Sequence, residues 1–451
     1  MSTPPRRGAR TSPTRSLLAG AAALGVALAV GGCSETSSTA PDAAVERTAA
    51  SRPADDGPLI SAAPNGDDAA AGTRRAPLRS LGAALAKADA GTTILLAGGA
   101  YPAVQTSRRF GRAVRILGPG RGTAATVAGL NAVGARGLSF RRVSFSDTVT
   151  LTNSAANLAR ETGEVAFRHV RFTTPDARTA CLAPRNGTHD LTVESSRFRR
   201  CFDGIASAGV ASRSGHPIRR ILVRGNDLRG MRSDGLNFAY WEDARIERNT
   251  ITDLHDPDGA IHNDAIQIMG GSRRIAIHDN VLTDSRVQLL FVEPTIGGPV
   301  RDLSVENNLL VGAGAAAVQM IDTPRLRFVG NTVADSRFQG LMLRHSPKQP
   351  APSAADGAVI ANNVLAAGYL REPGVTLRLQ AHNLLAGEIT GGRGRGDVVG
   401  GASRVTGALA STRVVVGGAG GVVADRQQWR HRPRTGPAAR TVGYVPRKDW
   451  R

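Results

Sequence analysis

The sequence contains few aromatic residues and few cysteines for a chain of 451 residues. Aromatic side chains make up 4% of it, which argues against a core built mainly from packed rings. Glycine contributes 53 residues, and glycine supplies the positive φ angles of tight turns at no steric cost. The composition therefore indicates many short strands and tight turns, in one long repeat array or in several small domains.

Lysine is also scarce, since only Lys87, Lys348 and Lys448 accompany a large number of arginines. The formal net charge is +20. An arginine bias of this kind is typical of a genome rich in G and C, but a basic surface attracts polyanions whatever its origin. Nucleic acid is excluded as the partner because no nucleic-acid-binding module is recognisable and an export signal is present. An acidic polysaccharide remains the expected partner.

Residues 1–32 have the pattern of an export signal. Basic residues precede an apolar stretch at 17–30, which is shorter than the ~20 residues that a membrane-spanning helix needs. The stretch ends in a Val-Gly-Gly-Cys segment that resembles the lipobox of bacterial lipoproteins, which implies lipidation of Cys33. A secretory signal that happens to contain a cysteine is the alternative. Residues 33–58 cannot bury a core and predict a disordered tether. We expect an exported protein, lipid-anchored to the outside of the cell membrane or secreted.

Segments of alternating apolar and polar residues recur through the middle of the chain, as in strands with one buried face. The later segments carry an asparagine at one fixed offset. These residues are Asn226, Asn249, Asn280, Asn308, Asn331, Asn363 and, by extension, Asn383. Asparagine suits turns, and stacked asparagines bond one another as a ladder. Spacings between 23 and 32 residues from Asn226 to Asn363 predict a solenoid coil with insertions. A β-propeller, with blades of about 40 residues, is disfavoured.

Residues 78–101 resemble the first coil of the pectate-lyase-like superfamily of right-handed parallel β-helices. There a short amphipathic helix covers the open end of the core, because an uncapped solenoid end exposes both core and strand edges. The resemblance implies an all-β fold, a single-stranded right-handed parallel β-helix (solenoid) with an N-terminal capping helix. We expect the β-helix over residues 59–400 and a C-terminal closing segment over 401–451.

Cys181 and Cys201 are 20 residues apart, which is close to one coil and places them on neighbouring coils. An exported protein can oxidise such a pair, so a disulfide is expected. Two small buried thiols are the alternative. The absence of a matching histidine pattern argues against a zinc site.

A second strand follows each asparagine turn and offers the face that a substrate would contact. The predicted inward residues are Leu236, Ile266, Leu289, Val318 and Leu341. The predicted outward residues are Asn237, Gln267, Leu290, Gln319 and Met342. The residues expected to bind substrate are Asn237, Gln267, Gln288, Glu293 and Gln319.

The most unusual stretch is an inserted loop at 254–263 with the strand that follows it. Residues 262–267 resemble an H-x-D-A-I-Q signature of exported and phage-borne β-helix proteins that act on polysaccharides, which implies roles for His262 and Asp264. Asp234 holds the equivalent place one coil earlier, so the two carboxyls are expected at the coil spacing of ~4.8 Å. Two stacked carboxyls need a shared proton, a cation or an arginine.

Two chemical roles are expected for this group. One is a Ca²⁺ site, because Ca²⁺ prefers several hard oxygen ligands, with Asp234, Asp256, Asp258 and Asp264 as candidate ligands. The other is an acid–base pair in which His262 is the second member. The structural alternative is that an aspartate caps the turn before its strand by accepting backbone N–H groups, which leaves His262 unexplained.

Basic residues on the same face complete the expected site. Lyases of the superfamily that the chain resembles remove the proton α to a uronate carboxylate, which requires a neutralising cation and a base. Arg286 is the expected neutraliser, and Arg344, His345 or Lys348 is the expected neutraliser or base. The Ca²⁺-binding acids and catalytic basic residues of the well-known lyases have no residue-by-residue match in this sequence.

These residues favour an enzyme that acts on an acidic polysaccharide, either a lyase or an epimerase that shares the proton abstraction. A polygalacturonase-type hydrolase is disfavoured because its neighbouring aspartates and Gly-His-Gly segment are not found. The alternative function is a non-catalytic, lipid-anchored glycan-binding or envelope-scaffolding β-helix. An enzyme requires His262, Asp264 and Arg286 to converge around an open groove, whereas a binding protein does not.

Overall fold

The computed structural model describes residues 57–399, with gaps at 155–156, 158, 176–177, 208–215, 295–296 and 347–356, and also 415–417 and 421–423. The chain divides into Met1–Asp55 and Asp56–Arg451, and every described residue belongs to the second unit. The predicted signal, Cys33, Lys348, nearly all of the tether and most of the closing segment therefore lie outside the described residues. Within the described part, no helix is long and apolar enough to cross a membrane.

Three long parallel sheets, named here A, B and C in the order in which the chain visits them, make up the second unit. The strands of sheet A are Leu59–Ala62, Thr93–Leu96, Arg109–Leu117, Arg136–Arg141, Gly163–Arg168, His189–Glu194, Ile218–Arg224, Trp241–Glu247, Arg273–His278, Arg301–Glu306, Arg327–Val329, Ala358–Ala361 and Leu377–Ala381. The strands of sheet B are Gly99–Tyr101, Ala125–Val127, Val143–Phe145, Arg171–Phe172, Arg197–Arg199, Asp227–Arg229, Thr250–Thr252, Val281–Ser285, Leu309–Ala313, Thr332–Ser336, Val364–Leu365, Leu384–Leu385 and Val398–Val399.

The strands of sheet C are Val104–Thr106, Leu130–Val133, Val149–Thr152, Leu182–Pro184, Ile205–Ala206, Leu236–Phe238, Asp264–Met269, Gln288–Glu293, Val318–Ile321, Leu341–Arg344, Tyr369–Arg371 and Ile389–Thr390. Each complete coil adds one strand to every sheet, and each strand pairs with the strand of the next coil. Val415–Gly417 and Gly421–Val423 form a separate antiparallel pair. The fold is the parallel β-helix that the repeats and the resemblance predict.

The helix Leu81–Lys87 packs against the first strands of sheets A and C. The Ser80 hydroxyl caps its N-terminus by accepting from the backbone N–H of Ala83 at 3.1 Å. Leu81 and Leu85 are buried, so the amphipathic pattern turns the apolar face of the helix towards the core. The predicted capping helix is confirmed.

The interior is one continuous apolar core, and most of its side chains are aliphatic. Phe140, Phe145, Phe167, Phe172 and Phe198, however, stack in its N-terminal half with ring centroids 4.5 to 5.9 Å apart. They meet because in-register strands repeat one inward position on successive coils, as Phe140 does with Phe167. The core as a whole is therefore not built mainly from rings, as the composition predicts, although rings stack in this part of it.

The predicted asparagine ladder is present. The side-chain oxygen of each ladder residue from Asn249 to Asn383 accepts from the backbone N–H and the side-chain amide of the ladder residue one coil earlier, at 2.8 to 3.2 Å. All of these asparagines are buried. At the two ends, Ser196 donates its N–H to Asn226 and Asn383 donates to Asp397. The ladder thus satisfies buried polar groups at one corner of every coil it crosses.

The predicted disulfide between Cys181 and Cys201 is formed, with Cα atoms 5.5 Å apart. The two cysteines precede neighbouring strands of sheet C, which pair through Leu182 and Ile205. The bond therefore joins adjacent coils, as the 20-residue separation predicts.

The strand register corrects one coil of the predicted substrate face. Ile266 pairs with Leu290, which in turn pairs with Val318, so Leu290 points into the core. Phe291 is the outward residue between Gln267 and Gln319. The assignment of Leu290 to the outward column is wrong because the run Leu-Leu-Phe-Val is apolar throughout and hides the alternation.

We predict that Asn308→Ala lowers the free energy of unfolding by about 3 kcal/mol, because it leaves several buried polar groups of the ladder without partners. Urea denaturation followed by circular dichroism measures the effect. Asn131→Ala, on an exposed strand position, is the matched control and is expected to change stability by less than about 0.5 kcal/mol. Equal effects of the two substitutions would show that the ladder does not stabilise the coils.

Candidate functional site

A row of polar side chains runs across the outer face of sheet C over three successive coils. The amide nitrogen of Asn237 donates to Asp234 Oδ2 at 2.5 Å and to Gln267 Oε1 at 2.8 Å. Gln267 Nε2 in turn donates to Glu293 Oε1 at 3.1 Å. The ring of Phe291 occupies the outward position beside Gln267. The structure thus joins three of the predicted substrate-binding residues in one hydrogen-bonded chain.

Three aspartates stack at the corner where the chain enters these strands. The backbone N–H of Asp234 donates to Asp203 Oδ1 at 3.0 Å, and that of Asp264 donates to Asp234 Oδ1 at 2.7 Å. The backbone N–H of Gln288 donates to Asp264 Oδ1 at 3.0 Å. Each aspartate therefore caps the strand of the next coil, which is the structural alternative considered from the sequence. Asp203 was missed, although an Asp-Gly step before an apolar strand marks both Asp203 and Asp234.

Burial makes ionisation of this aspartate stack costly. Burial raises the pKa of Asp203, and burial together with the neighbouring carboxyls of Asp264 and Asp203 raises the pKa of Asp234 well above its usual range. Burial also raises the pKa of Asp264, although contact with His262 opposes the rise. Asp234 consequently keeps its proton to a higher pH than an exposed aspartate does.

His262 is the exposed member of the site. Its side chain is 48% exposed, whereas that of Asp264 is 0% exposed, and His262 Nδ1 lies 3.2 Å from Asp264 Oδ2. This is an ion-pair contact, because Oδ2 has no donor with hydrogen-bond geometry among the described residues. Contact with Asp264 raises the pKa of His262 above 6.5; partial burial opposes the rise and Glu293 adds to it. An exposed imidazole held by a buried carboxylate suits acid–base chemistry.

The aspartates of the loop at 254–263 are engaged elsewhere. Asp256 is buried, accepts a backbone N–H of its own loop at 3.0 Å and lies 3.1 Å from Arg232 Nη2. Asp258 has a side chain that is 81% exposed and lies 3.5 Å from the same nitrogen. Within the described part of the chain, no three His, Cys, Asp or Glu residues are arranged to hold a metal ion. Ca²⁺ binding by Asp234, Asp256 and Asp258 stays a prediction.

Arg286 lies against the loop that carries His262. Its guanidinium nitrogens are 3.2 Å from the position that a Cβ would occupy on Gly259, and the residue is exposed. Gln288, one strand position from the aspartate stack, is buried, and its Oε1 has no hydrogen-bond partner among the described residues. Gln288 therefore contacts Asp264 through its backbone N–H, and Arg286 contacts the inserted loop at Gly259; convergence of Arg286 with His262 stays a prediction.

Arg344 and His345 belong to a different cluster. Arg344 Nε lies 2.6 Å from Glu372 Oε1, and the His345 ring lies 3.5 Å from Asp322 Oδ1. Their strand is three coils beyond Gln267, a distance of roughly 14 Å at the usual strand spacing. The structure does not bring these two residues to His262.

A groove on the same side of the molecule extends past Gln319. Its cavity measures about 730 Å³. Its lining residues are Gln288, Ala315, Ala316, Gln319, Arg337, Phe338, Gln339, Met342, Ala367, Gly387 and Glu388. Phe338 is 62% exposed, with the Arg337 guanidinium 5.5 Å from its ring centroid. Sequence reasoning missed Phe338 because a lone aromatic residue between two strands carries no periodic signal.

Comparison with known families supports the fold. Residues 158–350 match a family described as right handed beta helix region, and residues 64–119 match one described as protein of unknown function (DUF1565). The chain is a right-handed parallel β-helix. A comparison with curated proteins finds no significant match.

Similar solved structures include a GH136 lacto-N-biosidase from Eubacterium ramulus, at 11% identity and a TM-score of 0.45, covering 76% of this chain and 68% of that chain. Pectate lyase Pel9A gives 15% identity, a TM-score of 0.40 and coverage of 72% and 79%. A periplasmic alginate epimerase gives 10% identity, a TM-score of 0.42 and coverage of 66% and 76%. These similarities concern the fold alone.

We predict that Asp234→Asn stabilises the protein at pH 8 but not at pH 4. Asparagine keeps the Oδ1 acceptor for the Asp264 N–H. A carboxyl whose folded pKa is raised costs stability as the pH climbs above its unfolded pKa of about 3.9, and the cost grows until the folded pKa is reached. Urea denaturation across this pH range measures the difference in free energy of unfolding between the variant and the wild type. Asp258→Asn, at an exposed carboxyl, should show no such difference. A difference for Asp234→Asn that does not change with pH would contradict the prediction.

Proposed function

We propose that the protein is an enzyme that cleaves an acidic polysaccharide by β-elimination at a uronate. The observation that carries this proposal is the contact between half-exposed His262 and fully buried Asp264 at 3.2 Å, on the face of an amide-lined sheet. Capping of strands explains the aspartates, but it does not require an imidazole at the surface beside them. The pair therefore supports acid–base catalysis.

In this reaction His262 is the base. Its Nδ1 faces Asp264, which leaves Nε2 to take the proton α to the uronate carboxylate. The carboxylate is neutralised by Arg286, the exposed cation beside the loop of His262. The bond to the 4-O substituent then breaks as the ring double bond forms, and the imidazolium returns the proton to the departing oxygen. An epimerase would use the same first step and return the proton to the opposite face of the carbon.

The polymer is held along sheet C. Asn237 and Gln267 offer amide groups beside His262, and Gln319 continues the row into the groove of about 730 Å³. Phe338 presents an exposed ring there, which suits the apolar face of a sugar. Amide and aromatic side chains are the groups that fix the orientation of a ligand in an open cleft.

We also propose that the protein works outside the cell. Cleavage of the signal before Cys33, lipidation of that cysteine and a tether at 33–58 would hold the β-helix away from the membrane, within reach of an extracellular polymer. The disulfide between Cys181 and Cys201 suits an oxidising compartment.

A non-catalytic glycan-binding protein is the second candidate. It is favoured by the three backbone N–H groups that the aspartate stack accepts, because these bonds give every carboxyl of the stack a structural role. A binding protein would use the same face of sheet C without proton transfer.

Ultraviolet absorbance of unsaturated uronates tests the proposal, with alginate, pectate, hyaluronan and chondroitin as substrates, each with and without added Ca²⁺. We expect cleavage of one of them, and a loss of at least about 100-fold in kcat for His262→Ala, as removal of a general base requires. His255→Ala, an exposed histidine of the same loop, is the matched control. Failure on every acidic glycan, or equal rates for the two variants, would overturn the proposal.

The pH profile tests the partnership with Asp264. His262 acts as a base only when neutral, so the rate should rise with pH through its pKa, which Asp264 raises above 6.5. Asp264→Asn keeps an acceptor for the Gln288 N–H and removes the charge, so the rising limb should move to lower pH. A rising limb that stays in place in this variant would show that another group is titrating.

A further inference from the structure

A basic cavity lies on the opposite part of the coil, where sheet A turns into sheet B. Its volume is about 300 Å³. Its lining residues are Pro119, Gly120, Arg121, Gly122, Ala124, Arg142, Val143, Ser144, His169, Val170, Arg171 and Arg197. Four arginines and a histidine thus surround the cavity, and the lining contains no carboxylate. The proposed reaction uses none of these five cations, and Arg142 Nε donates to the Gly118 carbonyl at 3.4 Å.

The backbone fixes the positions of these cations. Arg142 and His169 occupy equivalent turn positions on successive coils, with φ of 56° and 54°. Arg171 and Arg197 are direct partners on neighbouring strands of sheet B. Like charges directly opposite one another on paired strands are destabilising, so this arginine pair lowers the stability of the fold.

Several other arginines of the surface are neutralised by carboxylates on an adjacent coil. Examples are the pairs Arg136–Glu164, Arg224–Glu194, Arg274–Asp243, Arg325–Asp302 and Arg327–Glu306. None of the four arginines of the cavity forms such a pair within the described residues. Asp227 lies opposite Arg197 on the next strand of sheet B, but its carboxylate forms its ion pair with Arg199. The cavity therefore brings together four arginines and a histidine without a carboxylate among its lining residues.

We propose that this cavity binds a multiply charged phosphate group. Guanidinium groups recognise phosphate through paired N–H donors, and several of them converge here on one small volume. A uronate polymer carries one charge on each sugar, so it places fewer charges in a cavity of about 300 Å³ than a phosphate group does. This site is separate from the His262 site, and it requires no catalysis.

Calorimetric titration of the full chain with inorganic pyrophosphate at low ionic strength tests the site. We expect binding by the wild type that weakens with added salt, and a loss of at least about tenfold in affinity for Arg171→Gln with Arg197→Gln. Arg141→Gln with Arg301→Gln removes the same charge at exposed positions outside the cavity and should bind like the wild type. Absence of binding by the wild type, or equal losses in the two double variants, would overturn the proposal.

Two further measurements make the result specific. The free energy of unfolding of Arg171→Gln with Arg197→Gln should match or exceed that of the wild type, because the substitutions remove a repulsion. Affinity for trigalacturonate equal to that for pyrophosphate would refute the phosphate assignment. Vesicles of phosphatidylglycerol and phosphatidylcholine, compared with pure phosphatidylcholine, separate a lipid headgroup from a soluble phosphate. A lipid headgroup and a soluble phosphate are both consistent with the site. Any preference for the phosphatidylglycerol vesicles should be lost in Arg171→Gln with Arg197→Gln.

Discussion

Hydrogen bonding between one coil and the next is the interaction on which the rest of this structure depends. In the described part of the chain, strands of sheets A, B and C pair with their counterparts on adjacent coils, so side chains at paired strand positions repeat at the strand spacing of ~4.8 Å. Repetition places like beside like, whether the residues are asparagines, phenylalanines, aspartates or arginines. Where the repeated group satisfies its neighbour, as in the asparagine ladder, the coil is stabilised. Where it does not, the repetition concentrates charge.

The ladder and the aspartate stack solve the same problem with different chemistry. Each places a side-chain oxygen at a corner, where it accepts a backbone N–H of a neighbouring coil. An asparagine does so without charge, whereas Asp234 and Asp264 bring carboxyls into a buried place and acquire raised pKa values. A structural cap thereby becomes a group that can orient His262. In this protein the candidate site is a modified corner of the coil.

Much of this could be predicted from the sequence, because repetition is visible in it. Asn280 and its equivalents stand at one fixed position of the repeated segments, and this recurrence predicted a ladder of asparagines at one corner of the coil. The stacking of Asp234 and Asp264 followed from aligning the two sheet C strands at whose starts they stand. Leu290 was misassigned because an apolar run lacks the alternation that distinguishes inward from outward side chains. The pairing of Arg344 with Glu372 depends on how a later coil returns to sheet C, which no local pattern encodes.

The unequal coil lengths have a consequence for evolution. Neighbouring ladder asparagines are separated by 23 residues in some coils and by 31 between Asn249 and Asn280, yet the amide contacts are the same. The longer interval contains the loop at 254–263, which delivers His262 to the surface. New side chains can therefore reach the surface by insertion at a corner, without a redesign of the interior. A lineage built on this scaffold would change its outer face by gaining, losing and exchanging loops, while the column of asparagines stays beneath them.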